Sequence, residues 1–305
     1  MTKDELEKLI VILGPTASGK TDLAVKLAKK FNGEIISADS RQIYKGMDIG
    51  TAKPSKKEKG LVPHHLIDLI KPDQIFNAAV YKKLALKAIK DVENRNKMPF
   101  LVGGTGLYIK SIIDNINFPA VPAQKKLRKN LEKKTEKELF KIYRKLDPEG
   151  AKFIDKNNKR RLIRAIEVCK VTKIPFWKQR KKGKNLFNIL IIGIKLPEKE
   201  LEKRIKTRIE KMFRLGLEKE VKKLVKRYGW KISPLQTIGY QEWHEYFNKK
   251  TGRNEIKKQV ILHTLQFSRR QMTWFKKDKR IKWIKNYKSA EKLVKEIILN
   301  KPLDK

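Results

Sequence analysis

Residues 14–21 read GPTASGKT. Gly14, Pro15, Thr16, Ala17, Ser18, Gly19, Lys20 and Thr21 fit the pattern G-x-x-x-x-G-K-[ST]. In such a loop, backbone N–H groups converge on an anion at the start of a helix. Lys20 would sit against the phosphates, and Thr21 would offer its hydroxyl to Mg²⁺, a hard cation that favours oxygen ligands. A loop of this kind usually serves ATP or GTP. Nucleotide hydrolysis also calls for a strand ending in Asp or Glu to help hold the metal and water. The natural strand for that, in 99-PFLVGGTGLYI-109, ends in Gly103, Gly104, Thr105 and Gly106 with no acid. The carboxylate stands elsewhere, at Asp39 in 34-EIISADSRQIYKGMDIGT-51. An acid beside a diphosphate pocket, without γ-phosphate machinery, fits a diphosphate leaving group, with Asp39 as base or substrate anchor. The plainer reading of Asp39 on spacing alone is a helix N-cap or a Mg²⁺ ligand.

These groups need elements to position them. Apolar runs at 9–13, 34–38, 66–70 and 99–103 read as strands, alternating with helical stretches at 19–30, 77–95 and 105–113. That alternation predicts an α/β fold with a parallel sheet. Sites in such sheets lie outside the carboxyl ends of the strands. Gly14–Thr21, Asp39–Gln42 and Gly103–Gly106 should therefore meet on one rim. From about 119 the texture becomes charged and helical without a strand pattern, with a helix at 158–172 and a loop at 173–185. A strand returns at 187–196, long helices follow at 198–228 and 252–276, then a strand near 281–285 and a last helix near 288–299. The simplest reading is a catalytic core of residues 1–117 and 187–305, with an all-helical lobe, 118–186, inserted in it.

Composition narrows the partner. The 305 residues carry 75 Lys and Arg against 33 Asp and Glu, a net charge of +42. Either the partner is a polyanion, whose counterions are released on binding, or lysine simply coats the solvated faces. The arginines are the more informative cations, because the planar guanidinium fork matches phosphate and stacks on bases. The one cysteine, Cys169, has no internal partner for a disulfide and fits a reducing compartment. No run reaches the roughly 18 apolar residues needed to span a bilayer, so the expectation is a soluble cytoplasmic protein that does not engage membrane. His64 and His65 lack the neighbouring Cys or spaced acids of a zinc site, and a supporting structural role is expected. Nothing in the pattern asks for an obligate dimer, and a monomer is expected.

Longer stretches carry a resemblance. GPTASGKT at 14–21, ISADSRQIYKGMDIGTAKP at 36–54, HHLID at 64–68 and PFLVGGTGLYI at 99–109 are followed by RRLIRAIEV at 160–168. The pattern RI-x-x-R-I-x-x-M-x-x-x-GL at 204–217, TIGYQE at 237–242 and RRQMTWF at 269–275 complete the set. In this order, along nearly the whole chain, they resemble the bacterial tRNA dimethylallyltransferases, also called tRNA isopentenyltransferases. The resemblance implies a core similar to the P-loop kinases with an inserted helical lobe. It implies transfer of the dimethylallyl group of dimethylallyl diphosphate to N6 of the adenosine 3′ of the anticodon, position 37, in tRNAs that read codons starting with U. Diphosphate leaves and Mg²⁺ assists.

The same resemblance assigns roles residue by residue. Asp39 takes the proton of the amine, Arg208 acts on the leaving group, and Thr105 contacts the target nucleotide. Asp39, Ser40, Arg41 and Gln42 form one tRNA-contacting segment, and Arg160, Arg161, Leu162, Ile163 and Arg164 another. Arg128, Arg269, Arg270 and Gln271 are further expected tRNA contacts. Plainer readings stand beside these: Arg208 as an exposed helix arginine, Thr105 as a turn residue, and the 160–164 arginines as a solvated face paired with Glu167. The competing functions are an ATP-dependent small-molecule kinase on the same fold and a non-enzymatic RNA-binding protein.

Overall fold

The computed structural model describes residues 6–179 and 182–299. Six parallel strands form one sheet in the order β3-β2-β4-β1-β5-β6: β1 Lys8–Leu13, β2 Gly33–Ala38, β3 His64–His65, β4 Met98–Gly103, β5 Asn188–Ile194 and β6 Lys282–Ile284. The strands are near-continuous apolar runs because both faces of the sheet are covered. Leu9, Val11 and Leu13 point to the face packed by the Ala78–Asn94 helix through Tyr81, Ala85 and Ile89. Ile10 and Ile12 point to the other face, against Leu23 and Leu27 of the Lys20–Lys30 helix and Val294 of the Tyr287–Ile298 helix. A one-residue slip of β1 would exchange these sets, so burial on two sides fixes its register.

A third core joins the helices Glu198–Arg214, Leu217–Tyr228 and Arg253–Phe275 to the 43–47 segment, through Ile205, Ile209, Met212, Val260, Ile43 and Met47. The chain folds as two compact units, Met1–Ile113 with Leu186–Lys305, and Asp114–Asn185. The second unit is built on the helices Lys125–Glu132, Glu136–Leu146, Pro148–Ala151, Lys159–Thr172 and Phe176–Gln179. Its core is Leu131, Leu139, Tyr143, Leu162, Ile163, Ile166 and Cys169.

The structure corrects three sequence readings. The 66–70 run is not a strand: β3 stops at His65, and Leu66 and Asp68 take φ of 62° and 57°. That loop packs on the 42–44 backbone instead, with Leu69 N donating to Ile43 O at 2.8 Å. Lys53 Nζ locks it by pairing with Asp68 and, at 2.7 Å, with Asp48. The 198–228 helix is two helices, broken at Gly216, whose φ of 93° suits a glycine. The 173–185 loop contains the short Phe176–Gln179 helix.

Candidate active site

Strand order builds the rim. Because β4 lies between β2 and β1, Gly103 is in register with Ala38 on one side and Leu13 on the other. The next residues of the three strands, Asp39, Gly104 and Gly14, therefore leave the sheet together at its carboxyl edge. Gly103 must be glycine here, since a Cβ would lie 2.2 Å from Ala38 O.

The glycine loop closes on the Lys20–Lys30 helix through Gly19 at φ 87°. Lys20 Nζ donates to Pro15 O at 3.1 Å, folding back over the loop. Burial lowers the Lys20 ammonium to about 8, and Arg208 adds to the fall while Asp39 opposes it. Burial likewise lowers the Arg208 guanidinium, again with Asp39 opposing. Two desolvated cations thus share one carboxylate, a balance that a bound anion would restore.

Asp39 is held by its own turn: Oδ1 accepts from Arg41 N at 2.8 Å and Gln42 N at 3.4 Å. Thr105 Oγ1 accepts from Ser40 N at 3.0 Å, and Thr105 N donates to Ala38 O at 3.1 Å, so Thr105 pins the segment carrying Asp39. Gln42 is occupied within the loop, accepting from Ser37 Oγ at 3.2 Å and donating to Ala52 O at 3.2 Å.

Lys20, Thr21, Asp39, Thr105 and Arg208 line a cavity of about 440 Å³ that also has an apolar lining from Ile205, Ile209, Met212 and Val260. Positions 205, 208, 209 and 212 share one helix face, so a single helix presents the cation and apolar lining. A second recess of about 610 Å³ is lined by Gly19, Lys203, Arg204 and Lys211 and again by Lys20, Thr21 and Arg208. These three residues belong to both openings.

Among the described residues, no three His, Cys, Asp or Glu side chains gather as a metal cluster. The donors available are the Thr21 hydroxyl and the Asp39 carboxylate, which line the same cavity. That set suits Mg²⁺, which keeps several waters and takes phosphate oxygens along with few protein ligands. His65 Nε2 pairs with buried Glu34 at 2.7 Å, and His64 Nδ1 contacts Val62 O at 2.8 Å.

Several residues expected to touch RNA have other partners. Leu162 and Ile163 are buried in the helical unit's core, so their side chains offer nothing to a ligand. Helical period sends them inward and leaves Arg160 and Arg161 outside. Arg128 and Arg164 both bind the fully buried Glu167, at 2.7 Å and 2.6 Å. Burial pushes the Glu167 carboxyl up, but the Arg128, Gln124 backbone and Arg164 hydrogen bonds outweigh it and hold it at about 2. Arg269 forms an exposed pair with Glu198 at 2.6 Å, and such pairs contribute about 0–1 kcal/mol. Arg270 lines the cavity and lies 6.0 Å over the Phe267 ring.

Gln271 is buried and ties the site together: its Oε1 accepts from Thr16 N and its Nε2 donates to Gly104 O, both at 2.9 Å. Sequence pattern places it at the RNA and misses this strap between the two loops. No local signal marks it, since its partners lie 255 and 167 residues away. Gln271→Ala should leave two loop groups unpaired, at about 1–3 kcal/mol. The expected result is a melting temperature several degrees lower and roughly tenfold weaker kcat/KM, read by calorimetry and steady-state kinetics; wild-type values for both would remove the strap.

Comparisons with known proteins place the whole chain. A family model described as IPP transferase matches residues 42–278. The tRNA dimethylallyltransferase of Pelotomaculum thermopropionicum is 40% identical over 304 residues, 97% of each chain. That of Carboxydothermus hydrogenoformans is 42% identical over 300 residues, 96% of each chain. The full-length tRNA isopentenylpyrophosphate transferase of Bacillus halodurans superposes with a TM-score of 0.72 at 36% identity, over 96% of each chain. A eukaryotic dimethylallyltransferase solved acting on tRNA gives a TM-score of 0.85 at 25% identity, over 98% of this chain and 81% of that one. A parallel sheet with a glycine loop and Asp39 lining one cavity with it, together with near full-length likeness to these enzymes, leads to one assignment: the chain belongs to the tRNA dimethylallyltransferase (IPP transferase) family.

Proposed function

We propose that this protein transfers the dimethylallyl group of dimethylallyl diphosphate to N6 of the adenosine 3′ of the anticodon, position 37, in tRNAs reading U-starting codons. The observation that carries the reading is the cavity that Lys20, Thr21, Asp39 and Arg208 line together with Ile205, Ile209 and Met212. Adenine N6 is a weak nucleophile because its lone pair is delocalised into the ring. Asp39 accepts an N6 proton as the N6–C1 bond forms and the C1–O bond to diphosphate breaks, and such general-base help contributes about 10²–10⁴-fold. The loop N–H groups, Lys20 and Arg208 stabilise the negative charge that gathers on the departing diphosphate. The Thr21 hydroxyl would help hold Mg²⁺, which would supply further charge neutralisation to the diphosphate. Ile205, Ile209 and Met212 receive the isoprenoid tail and keep water from its allylic carbon. The two recesses that share Lys20, Thr21 and Arg208 give the diphosphate and the RNA base separate approaches.

The target base must leave the anticodon-loop stack, which costs a few kcal/mol and less in a single-stranded loop. Ser40 and Arg41 beside Asp39, Thr105 and Arg270 are the contacts we assign to the everted nucleotide. The basic helical unit grips the RNA with Arg160 and Arg161. No helix among the described residues is long and apolar enough to cross a membrane.

Mass spectrometry tests the reaction: tRNA incubated with the protein, Mg²⁺ and dimethylallyl diphosphate should gain one dimethylallyl unit at position 37. Recovery of unmodified tRNA from folded protein overturns the reading. Replacing both Arg160 and Arg161 with Ala should weaken tRNA binding and lower the slope of log Kd against log salt by about 1–2. An unchanged slope would remove the helical unit from the RNA contact. The kinase reading loses its footing at Gly103–Gly106, where β4 ends without an acid.

A further inference from the structure

The helical unit holds an aromatic pair outward. Phe153 and Trp177 stack with ring centroids 4.7 Å apart and planes at 16°, yet are 65% and 50% exposed. Val171, in the last turn of the Lys159–Thr172 helix, and Ile174, in the connection to the Phe176–Gln179 helix, are also exposed. One buried acid, Asp147, fixes both backbones under the pair. Its Oδ1 accepts from Gly150 N at 2.9 Å, in the short helix that leads to Phe153. Its Oδ2 accepts from Trp177 N at 2.8 Å and Tyr143 Oη at 2.8 Å. Gly150 leaves the space this needs, since a Cβ there would stand 2.2 Å from Tyr143 Oη and 2.3 Å from Asp147 Oδ2. Gln179 Nε2 closes the other end of the Trp177 turn on Thr172 Oγ1 and Ile174 O, both at 2.8 Å. The exposure of two large rings is thus built into a braced scaffold.

The surroundings choose the partner class. Residues 114–185 carry 23 Lys and Arg against 8 Asp and Glu, and Trp177 sits within 170-KVTKIPFWKQRKKGK-184. Flat rings amid dense positive charge suit a polyanion with exposed π-faces, and aromatic stacking beside cationic backbone contacts is how unpaired nucleotides are held. An apolar protein surface would have to meet the same rings beside a lysine-rich segment that it could not neutralise.

We infer that the Phe153–Trp177 pair is a stacking platform for an unpaired base of bound RNA other than the reacting adenosine. The inference deepens the tRNA reading above and names the face used. Stacking is short-ranged and carries no net charge, so its loss changes affinity without changing counterion release. Phe153→Ala together with Trp177→Ala should raise the tRNA KM about tenfold. Saturated kcat, the KM for dimethylallyl diphosphate and the salt slope should hold their wild-type values. Trp177→Phe, which keeps a flat ring, should stay within about threefold of wild type. Phe153→Ala alone leaves the Trp177 turn and its Asp147 brace in place and should still cost several-fold.

Unchanged tRNA KM in the double variant overturns the inference. So does a Trp177→Phe variant as weak as the alanine, which would point to a scaffold role, or a shift of wild type from dimer to monomer on substitution, which would point to self-association. Binding of an unstructured oligo(A) RNA, read by anisotropy, separates this from the catalytic reading. If wild type binds oligo(A) about tenfold better than the double variant but prenylates no tRNA, the platform stands and the reaction falls. If prenylation occurs while both proteins bind oligo(A) equally, the platform falls alone.

Discussion

Asp39→Ala should lower kcat by about 10²–10⁴-fold, the range of a positioned general base. Binding should change far less, because the carboxylate touches one proton while the rest of the nucleotide is held elsewhere. The electrostatics set a further expectation. Asp39 opposes the lowering of both Lys20 and Arg208, so its removal depresses both further in the free protein, while it also takes a repelling negative charge away from the diphosphate. Asp39→Asn separates chemistry from shape: the amide oxygen can still accept from Arg41 N and Gln42 N, as Oδ1 does now. Single-turnover kinetics should find Asn as slow as Ala, with an intact KM for dimethylallyl diphosphate. An Asn variant near wild-type rate would make Asp39 a turn cap and nothing more.

Arg208→Ala carries the second large effect. Arg208 shares the cavity wall with Lys20 and is desolvated there. A cation placed where leaving-group charge develops is worth roughly 10²–10³ in rate, so kcat/KM for the diphosphate should fall by that much. Stability should move the other way. Before ligand binds, Arg208 depresses Lys20 and is itself depressed by burial, the strained electrostatics typical of a functional site. Removing it should leave the melting temperature of the free protein equal or higher, while wild type gains more stability from added diphosphate than the variant does. A variant that melts many degrees lower with catalysis intact would make Arg208 a structural residue.

Much of this site is legible in the sequence. The loop glycines, the acid after β2 and the glycines after β4 are local signals, and parallel strands put their carboxyl ends on one edge by topology alone. The strand order β2-β4-β1 then places Asp39, Gly104 and Gly14 side by side. The failures have a common cause in long-range packing. The 66–70 run has strand composition, but Lys53 pairing with Asp68 and the 43–44 backbone hold it as a loop. Leu162 and Ile163 share a motif with arginines, and motif membership says nothing of helix face; burial against Leu131 and Leu139 decides it. Arg164 lies in the same motif yet serves buried Glu167. Its neighbours Arg269 and Arg270 put Gln271 near RNA, while its amide spans two loops distant in sequence.

The claim beneath all of this is that the glycine loop holds a diphosphate that departs as Asp39 deprotonates an adenine. The direct measurement counts diphosphate released against tRNA alkylated, with dimethylallyl diphosphate and Mg²⁺ present and nucleoside triphosphates absent. The account predicts about one diphosphate per modified tRNA, and none without tRNA, since bond cleavage waits for the nucleophile. Alkylation that requires ATP, or diphosphate release that ignores tRNA, would contradict it.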